Sequence, residues 1–177
     1  PAATNAGTVL TSGDILMKTD KLREGYLVQG EGIKIGVLSD TYDSYGKRGL
    51  SPDASADIIS NNLPGAANPV NTKPVKVLKD LNTGSDEGRA MLQIVHDVAP
   101  KSELYFRTGY VNANDFALGI KELADAGCNV IVDDITYYGQ PFFRDGVVSK
   151  AVDEVVKNGV TYFSSAGNFG NKAFDGN

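Results

Sequence analysis

Three stretches of this chain put carboxylates where a folded protein could use them. SDEGRAMLQIVHDVAP, from Ser85 to Pro100, opens on Asp86 and Glu87 and continues with Ala90, Met91, Ile94 and Val95 at the spacing of one buried helical stripe. With Ser85 or Asp86 as cap, Glu87 falls in the first turn, where free N–H groups and the helix dipole favour an anion. IGVLSD carries Asp40 to the end of a short β-branched run, and VIVDDI ends on Asp133 and Asp134. Carboxylates gathered at one mouth transfer protons. Their structural alternatives are an ordinary N-terminal helix acid for Glu87, an Asx turn for Asp40, and a pair satisfied by loop N–H groups for Asp133 and Asp134.

The elements that must position these groups alternate. After a Gly/Ser/Thr-rich start and an amphipathic helix expected over Ile15 to Tyr26, a buried strand is expected from Ile33 to Ser39. A Ser/Gly/Pro/Asn/Asp loop follows, with one helical turn around Ala54 to Asn61. Further strands are expected in PVKVLKDL, SELYFRTG, VIVDDI and GVTYFSS. NANDFALGIKELADAG, with an Asn or Asp cap and Gly127 past its end, and Asp145 to Asn158 read as helices. Such alternation predicts an α/β fold of three layers, a mostly parallel sheet with helices on both faces. Ligands of such sheets collect beyond the carboxyl ends of the strands, where Asp40, Asp133, Asp134 and the SSAGN turn all fall.

Composition narrows the function. The 177 residues, 41% of them hydrophobic, suffice for one domain with a real core. A net charge of −5, with 17 Lys and Arg spread without clusters, argues against nucleic acid or membrane as partner. No apolar run is long enough to span a bilayer. The single cysteine, Cys128, reads as a small buried thiol.

VIVDDI followed by GVTYFSSAGNFG resembles the subtilisin-like serine peptidases. The resemblance runs from about Gly32 to Asn168 and implies a domain over 32–177, incomplete at its C-terminus, preceded by an arm or short helix over 1–31. It makes Asn168 the oxyanion donor, a contact worth about 3 kcal/mol in the transition state. Asp40 takes the place of the triad aspartate, displaced by one residue because Ser39 fills the usual slot, with Asp43 as a weaker stand-in. DEGRAM aligns with the segment bearing the family's catalytic histidine and puts Glu87 there, as in the sedolisin branch. The sedolisin aspartate four residues on is here Met91, so the nearer match is an intermediate group of secreted bacterial subtilisin/sedolisin-like domains. His96 does not restore a triad: nine residues beyond Glu87 on one helix is about half a turn away around the axis and about 13 Å along it. It is expected as a helix-end residue beside exposed carbonyls.

The resemblance implies a secreted serine-type endopeptidase acting on polypeptides, with its nucleophile in a Gly-Thr-Ser segment downstream. Ser164 and Ser165 belong to the oxyanion turn instead. Asp133 and Asp134 replace the family's substrate-binding edge, with Asp134 as a third catalytic acid. No cofactor is expected; calcium accompanies such peptidases, but no loop here has the spacing of a defined site. The rival reading is an inactive subtilisin-like binding or structural module. A nucleotide-binding domain fits poorly, since GEGIKIG precedes its strand and no Gly-rich loop opens a helix.

Overall fold

The computed structural model describes residues 10–141 and 143–168. Twelve elements follow in order: α1 (Ser12–Leu16), α2 (Thr19–Tyr26), β1 (Lys34–Ser39), α3 (Ser44–Lys47), α4 (Ala54–Ile59), β2 (Lys76–Lys79), α5 (Glu87–Val98), β3 (Glu103–Thr108), α6 (Ala113–Asp125), β4 (Val130–Asp133), α7 (Val147–Lys157) and β5 (Thr161–Ser164). The five strands form one parallel sheet in the order β2-β3-β1-β4-β5. The expected three-layer α/β architecture is therefore present.

Period-2 alternation splits the core between the two faces of the sheet. Val37, Leu104 and Phe106 meet Leu92 of α5, Ala54 of α4 and Leu63 on one side. Leu38, Tyr105 and Ile131 meet Phe116, Ile120 and Leu123 of α6 with Ala151 and Val155 of α7 on the other. Cys128 lies in this second cluster, its thiol pushed up to about 12 by burial, as an inert core residue requires.

The crossovers differ in hand. From β2 to β3 and from β3 to β4 the chain moves in the same direction across the sheet, but α5 and α6 lie on opposite faces. The β2–α5–β3 unit thus has the opposite hand to the other three, which the strong preference of parallel crossovers makes right-handed. The exception takes α5 out of the α6/α7 layer and sets its first turn beside the end of β1. Gly88 permits the approach: a Cβ there would lie 2.3 Å from Phe106 Cε2 and 2.9 Å from the Thr41 carbonyl oxygen.

The single amphipathic helix expected over Ile15 to Tyr26 is instead two, broken where Lys18 turns left-handed at φ 60°. Leu16, Leu22 and Tyr26 are exposed, and the segment is held by polar contacts. Arg23 pairs with buried Asp14 at 2.6 Å and donates to the Val98 carbonyl, and the Thr11 N–H donates to Asp97. This docks the arm at the C-terminal end of α5, away from the carboxyl ends of the strands.

Candidate active site

Asp40 is the pivot of the mouth. One residue past β1, its carboxylate accepts from the backbone N–H of Thr41, Ser85 and Glu87, the last at 3.0 Å, and from Ser85 Oγ at 2.7 Å. Burial alone would raise its pKa, but hydrogen bonds from Ser85, Thr41 and Gly88 outweigh that and hold it below the usual carboxylate range. Asp40 therefore caps α5 from another strand. The residue in the N-cap position, Asp86, has left-handed backbone (φ 61°, ψ 30°) and turns its side chain away from the helix. It accepts from Thr41 Oγ1 and Ser44 N, both at 2.7 Å. With its lone pairs committed to four donors, Asp40 is an ionised positioning group and has no place for a shared proton.

Glu87 is the first residue of α5 and is exposed. Its backbone is fixed by Asp40, while its carboxylate has no hydrogen bond or ion pair among the described residues. Asp134 lies within range of that charge. It is half-buried, accepts from Ser39 Oγ at 3.0 Å, and leaves Oδ1 buried without a partner. Burial, opposed by the Ser39 hydrogen bond and reinforced by the charges of Glu87, Asp40 and Asp133, pushes Asp134 up to about 6. The structure thus brings Asp40, Glu87 and Asp134 to one mouth.

Asp133 is differently placed. It is 3% exposed and accepts from Tyr162 Oη at 2.7 Å and Ser164 Oγ at 3.0 Å, and its carbonyl accepts from the Ser165 N–H. Burial raises its pKa against these bonds. Its carboxylate ties β4 to β5 and is not presented to a substrate, which corrects the expected substrate-edge role; Asp134 alone of the pair faces the mouth. Asn168 is exposed, four residues beyond the end of β5, on the same edge of the sheet.

Two further expectations change. Asp43 caps α3 and bonds to Ala54 N and Arg89, so it is structural. His96 is fully buried, not at an exposed helix end. Asn68 Nδ2 lies 3.0 Å from its Nε2, and burial lowers its pKa to about 4, so it is neutral. An amide N–H facing Nε2 makes that nitrogen the acceptor and leaves the proton on Nδ1, which has no partner.

The groups that hold the mouth together carry little local signal in the sequence. Ser39 donates to Asp134 and Thr108 Oγ1 donates to the Asp40 carbonyl at 2.6 Å, and neither hydroxyl stands in a motif that marks it. Arg89, 6% exposed, reaches Asp43 and Asp86 at 3.1 Å and Asp57 at 2.9 Å, pinning the loop after β1 to α5. Its one local signal was the Asp86–Arg89 spacing of three. Among the described residues, no group of three or more His, Cys, Asp or Glu is placed to hold a metal ion, and no helix is long and apolar enough to cross a membrane. No protein-family model, curated protein or solved structure matches this chain.

Proposed function

We propose that this chain carries the acid and oxyanion groups of a secreted serine-type endopeptidase of the subtilisin/sedolisin kind, acting on polypeptides, with its serine supplied by sequence following residue 177. The hydrogen bond from the Glu87 N–H to Asp40 carries the reading, because it joins two residues 47 apart in sequence at the strand edge where the motifs predict a catalytic pair. In this reaction the serine Oγ bonds to the peptide carbonyl carbon while the C=O π pair moves onto oxygen. Glu87 takes the hydroxyl proton, and the Asn168 side-chain N–H holds the oxyanion. Glu87 then returns the proton to the leaving nitrogen as the C–N bond breaks, and water repeats the cycle on the acyl-enzyme.

A free glutamate titrates near 4.3, a weak base for a serine hydroxyl. Asp134 stands at the same mouth as a second acid, pushed up to about 6 by burial and by the charges of Glu87, Asp40 and Asp133, and so holds a proton into the mildly acid range. Activity is therefore highest at acid to neutral pH. The unpartnered Glu87 carboxylate also suits the rival, a binding module without catalysis.

The two separate in a serine-containing polypeptide. Glu87→Ala should lower peptide hydrolysis about a hundredfold or more. It should leave thermal unfolding unchanged, since the side chain is exposed. Hydrolysis unaffected by the substitution, or a pH–rate profile peaking above about pH 9, would end the peptidase reading.

A further inference from the structure

The sheet has two edges, and the sequence treats them differently. β2 carries Lys76 and Lys79 with Pro74 just before it, the charges and proline that keep an edge strand from pairing with another chain. β5, Thr161–Ser164, carries no charge, proline or glycine. Asp133 holds it against β4 through Tyr162 Oη and Ser164 Oγ. An unguarded edge of this kind is a template for one more strand.

The ladder fixes which groups that edge offers. The Thr161 and Ser165 N–H groups donate inward, to the Asn129 and Asp133 carbonyls. Residues two apart in a strand bond to the same neighbour, so the backbone groups of Tyr162 and Ser164 point outward. The pleat turns the side chain of Phe163 to the opposite face from theirs, the face on which α5 packs, where it is 57% exposed. Beside it lies a groove of about 280 Å³ lined only by apolar side chains, among them Val130 and Val132 of β4 and Ile94 and Val98 of α5.

We propose that a second copy of this chain pairs with β5, antiparallel, about a two-fold axis through Phe163. In that register Tyr162 lies opposite Ser164 of the partner subunit and exchanges both N–H···O bonds with it, on each side of the axis. The two Phe163 residues meet as the close, non-hydrogen-bonded pair. The axis runs perpendicular to the sheet, so both apolar grooves fall on one face with the two rings between them. The outward groups of β5 are thus their own complement, and an uncharged strand lets two chains of net charge −5 meet without like charges at the axis. Pairing covers on the order of 500 Å² per copy, less than the ~800 Å² of a standard interface, so the dimer is weak. Antiparallel pairing sends the two acid mouths to opposite ends of the joined sheet and blocks neither. The proposal does not depend on the peptidase reading.

Sedimentation equilibrium of this chain from about 1 µM to about 1 mM tests it. A reversible equilibrium between monomer and dimer is expected, with a Kd of about 10–100 µM, closed at two copies and undiminished at about 0.5 M salt. Phe163→Lys should weaken it about tenfold or more, whereas Val77→Lys on the β2 edge should leave it unchanged. Hydrogen exchange on the unaltered chain removes any dependence on how a variant folds: the Tyr162 and Ser164 amides should gain protection as concentration rises, and those of β2 should not. Cysteine substitution reads the register. Phe163→Cys should give a disulfide-linked dimer under a mild oxidant, while Thr161→Cys, which faces Ser165 of the partner subunit, should not; Cys128 is buried and stays out of the reaction. A monomer at every concentration, open-ended oligomers, a dimer indifferent to Phe163→Lys, or crosslinking through position 161 in place of 163 would each overturn the proposal. Full protection of the Tyr162 and Ser164 amides in the dilute monomer would overturn it too, because the chain's own residues would then cover the edge.

Discussion

Helix α5 has a titratable group packed at each end, and the two are built alike. Near its first turn Asp134 has one oxygen on Ser39 and the other buried without a partner; in its last turn His96 has Nε2 on Asn68 and Nδ1 buried without one. Burial drives both toward their neutral forms, Asp134 up to about 6 and His96 down to about 4. What separates them is access. His96 is 0% exposed and has no carboxylate among its partners, so its proton serves only the interior. Asp134 opens onto a mouth shared with Glu87 and can exchange its proton with whatever enters. A perturbed group sealed from solvent serves packing alone; one within reach of solvent meets the physical requirement for proton exchange with a ligand.

The comparison depends on the frame that keeps the N-terminal end in place, and the largest effect comes from breaking it. Arg89→Leu removes the cation that, among the described residues, pairs with Asp43, Asp57 and Asp86 and leaves three carboxylates around an apolar side chain. A loss of about 3–5 kcal/mol in urea unfolding is expected. A loss under about 1 kcal/mol would mean that the loop after β1 is held without this cluster.

The two ends also pull stability in opposite directions with pH. Unfolded His96 gains a proton below about pH 6.5 that the folded chain refuses until about pH 4, so its contribution falls as pH drops through that window. Unfolded Asp134 loses its proton near 3.8 while the folded chain keeps it to about 6, so its contribution falls as pH rises through nearly the same window. In the native chain the two slopes largely cancel. Asp134→Asn should expose the His96 slope, a gain of about 3 kcal/mol in unfolding free energy from pH 4 to 6.5. His96→Gln should expose the reverse, a fall of about 2 kcal/mol over the same range, reduced because Asp134 is partly solvated. The slope is the readout, since either substitution also changes packing. A variant that keeps the native slope would show that its end of the helix does not titrate as described.

The contrast between the ends was only half legible in the sequence. Alternating hydrophobic periods give the strands, the helices of the α6 and α7 segments, and hence a rim carrying Asp40, Asp133 and Asp134, because those periods are local. Asn112 reads as a cap and is one, bonding the Asp115 N–H at 3.0 Å. The hand of the β2–α5–β3 crossover, and with it which face α5 occupies, is set by packing between distant segments and has no local period. Adjacent acids are also indistinguishable by type: Asp133 turns inward to Tyr162 and Asp134 outward to Ser39, a choice fixed by strand pleat. The burial of His96 depends on Asn68, 28 residues earlier in an irregular loop that no pattern predicts.

The smallest expected effect tests whether Asp40 holds Glu87 as described. In Asp40→Asn the amide retains one oxygen for the Thr41 and Glu87 N–H groups, but its nitrogen faces Ser85, whose N–H and hydroxyl both donate to Asp40 Oδ2. The Ser85 hydroxyl can rotate to accept from that nitrogen, but the Ser85 N–H then meets a donor, at a cost of about 1 kcal/mol, close to that of losing an ordinary N-cap. Global unfolding barely registers such a loss, whereas amide hydrogen exchange locates it: Ser85 and Glu87 should exchange faster while Leu92 and Val95, packed in mid-helix, keep their protection. Uniform acceleration along α5 would mean that Asp40 supports the whole helix and not its first turn. Unchanged exchange at Glu87 would detach the glutamate from the aspartate and remove the geometric link on which the proposed catalytic pairing rests.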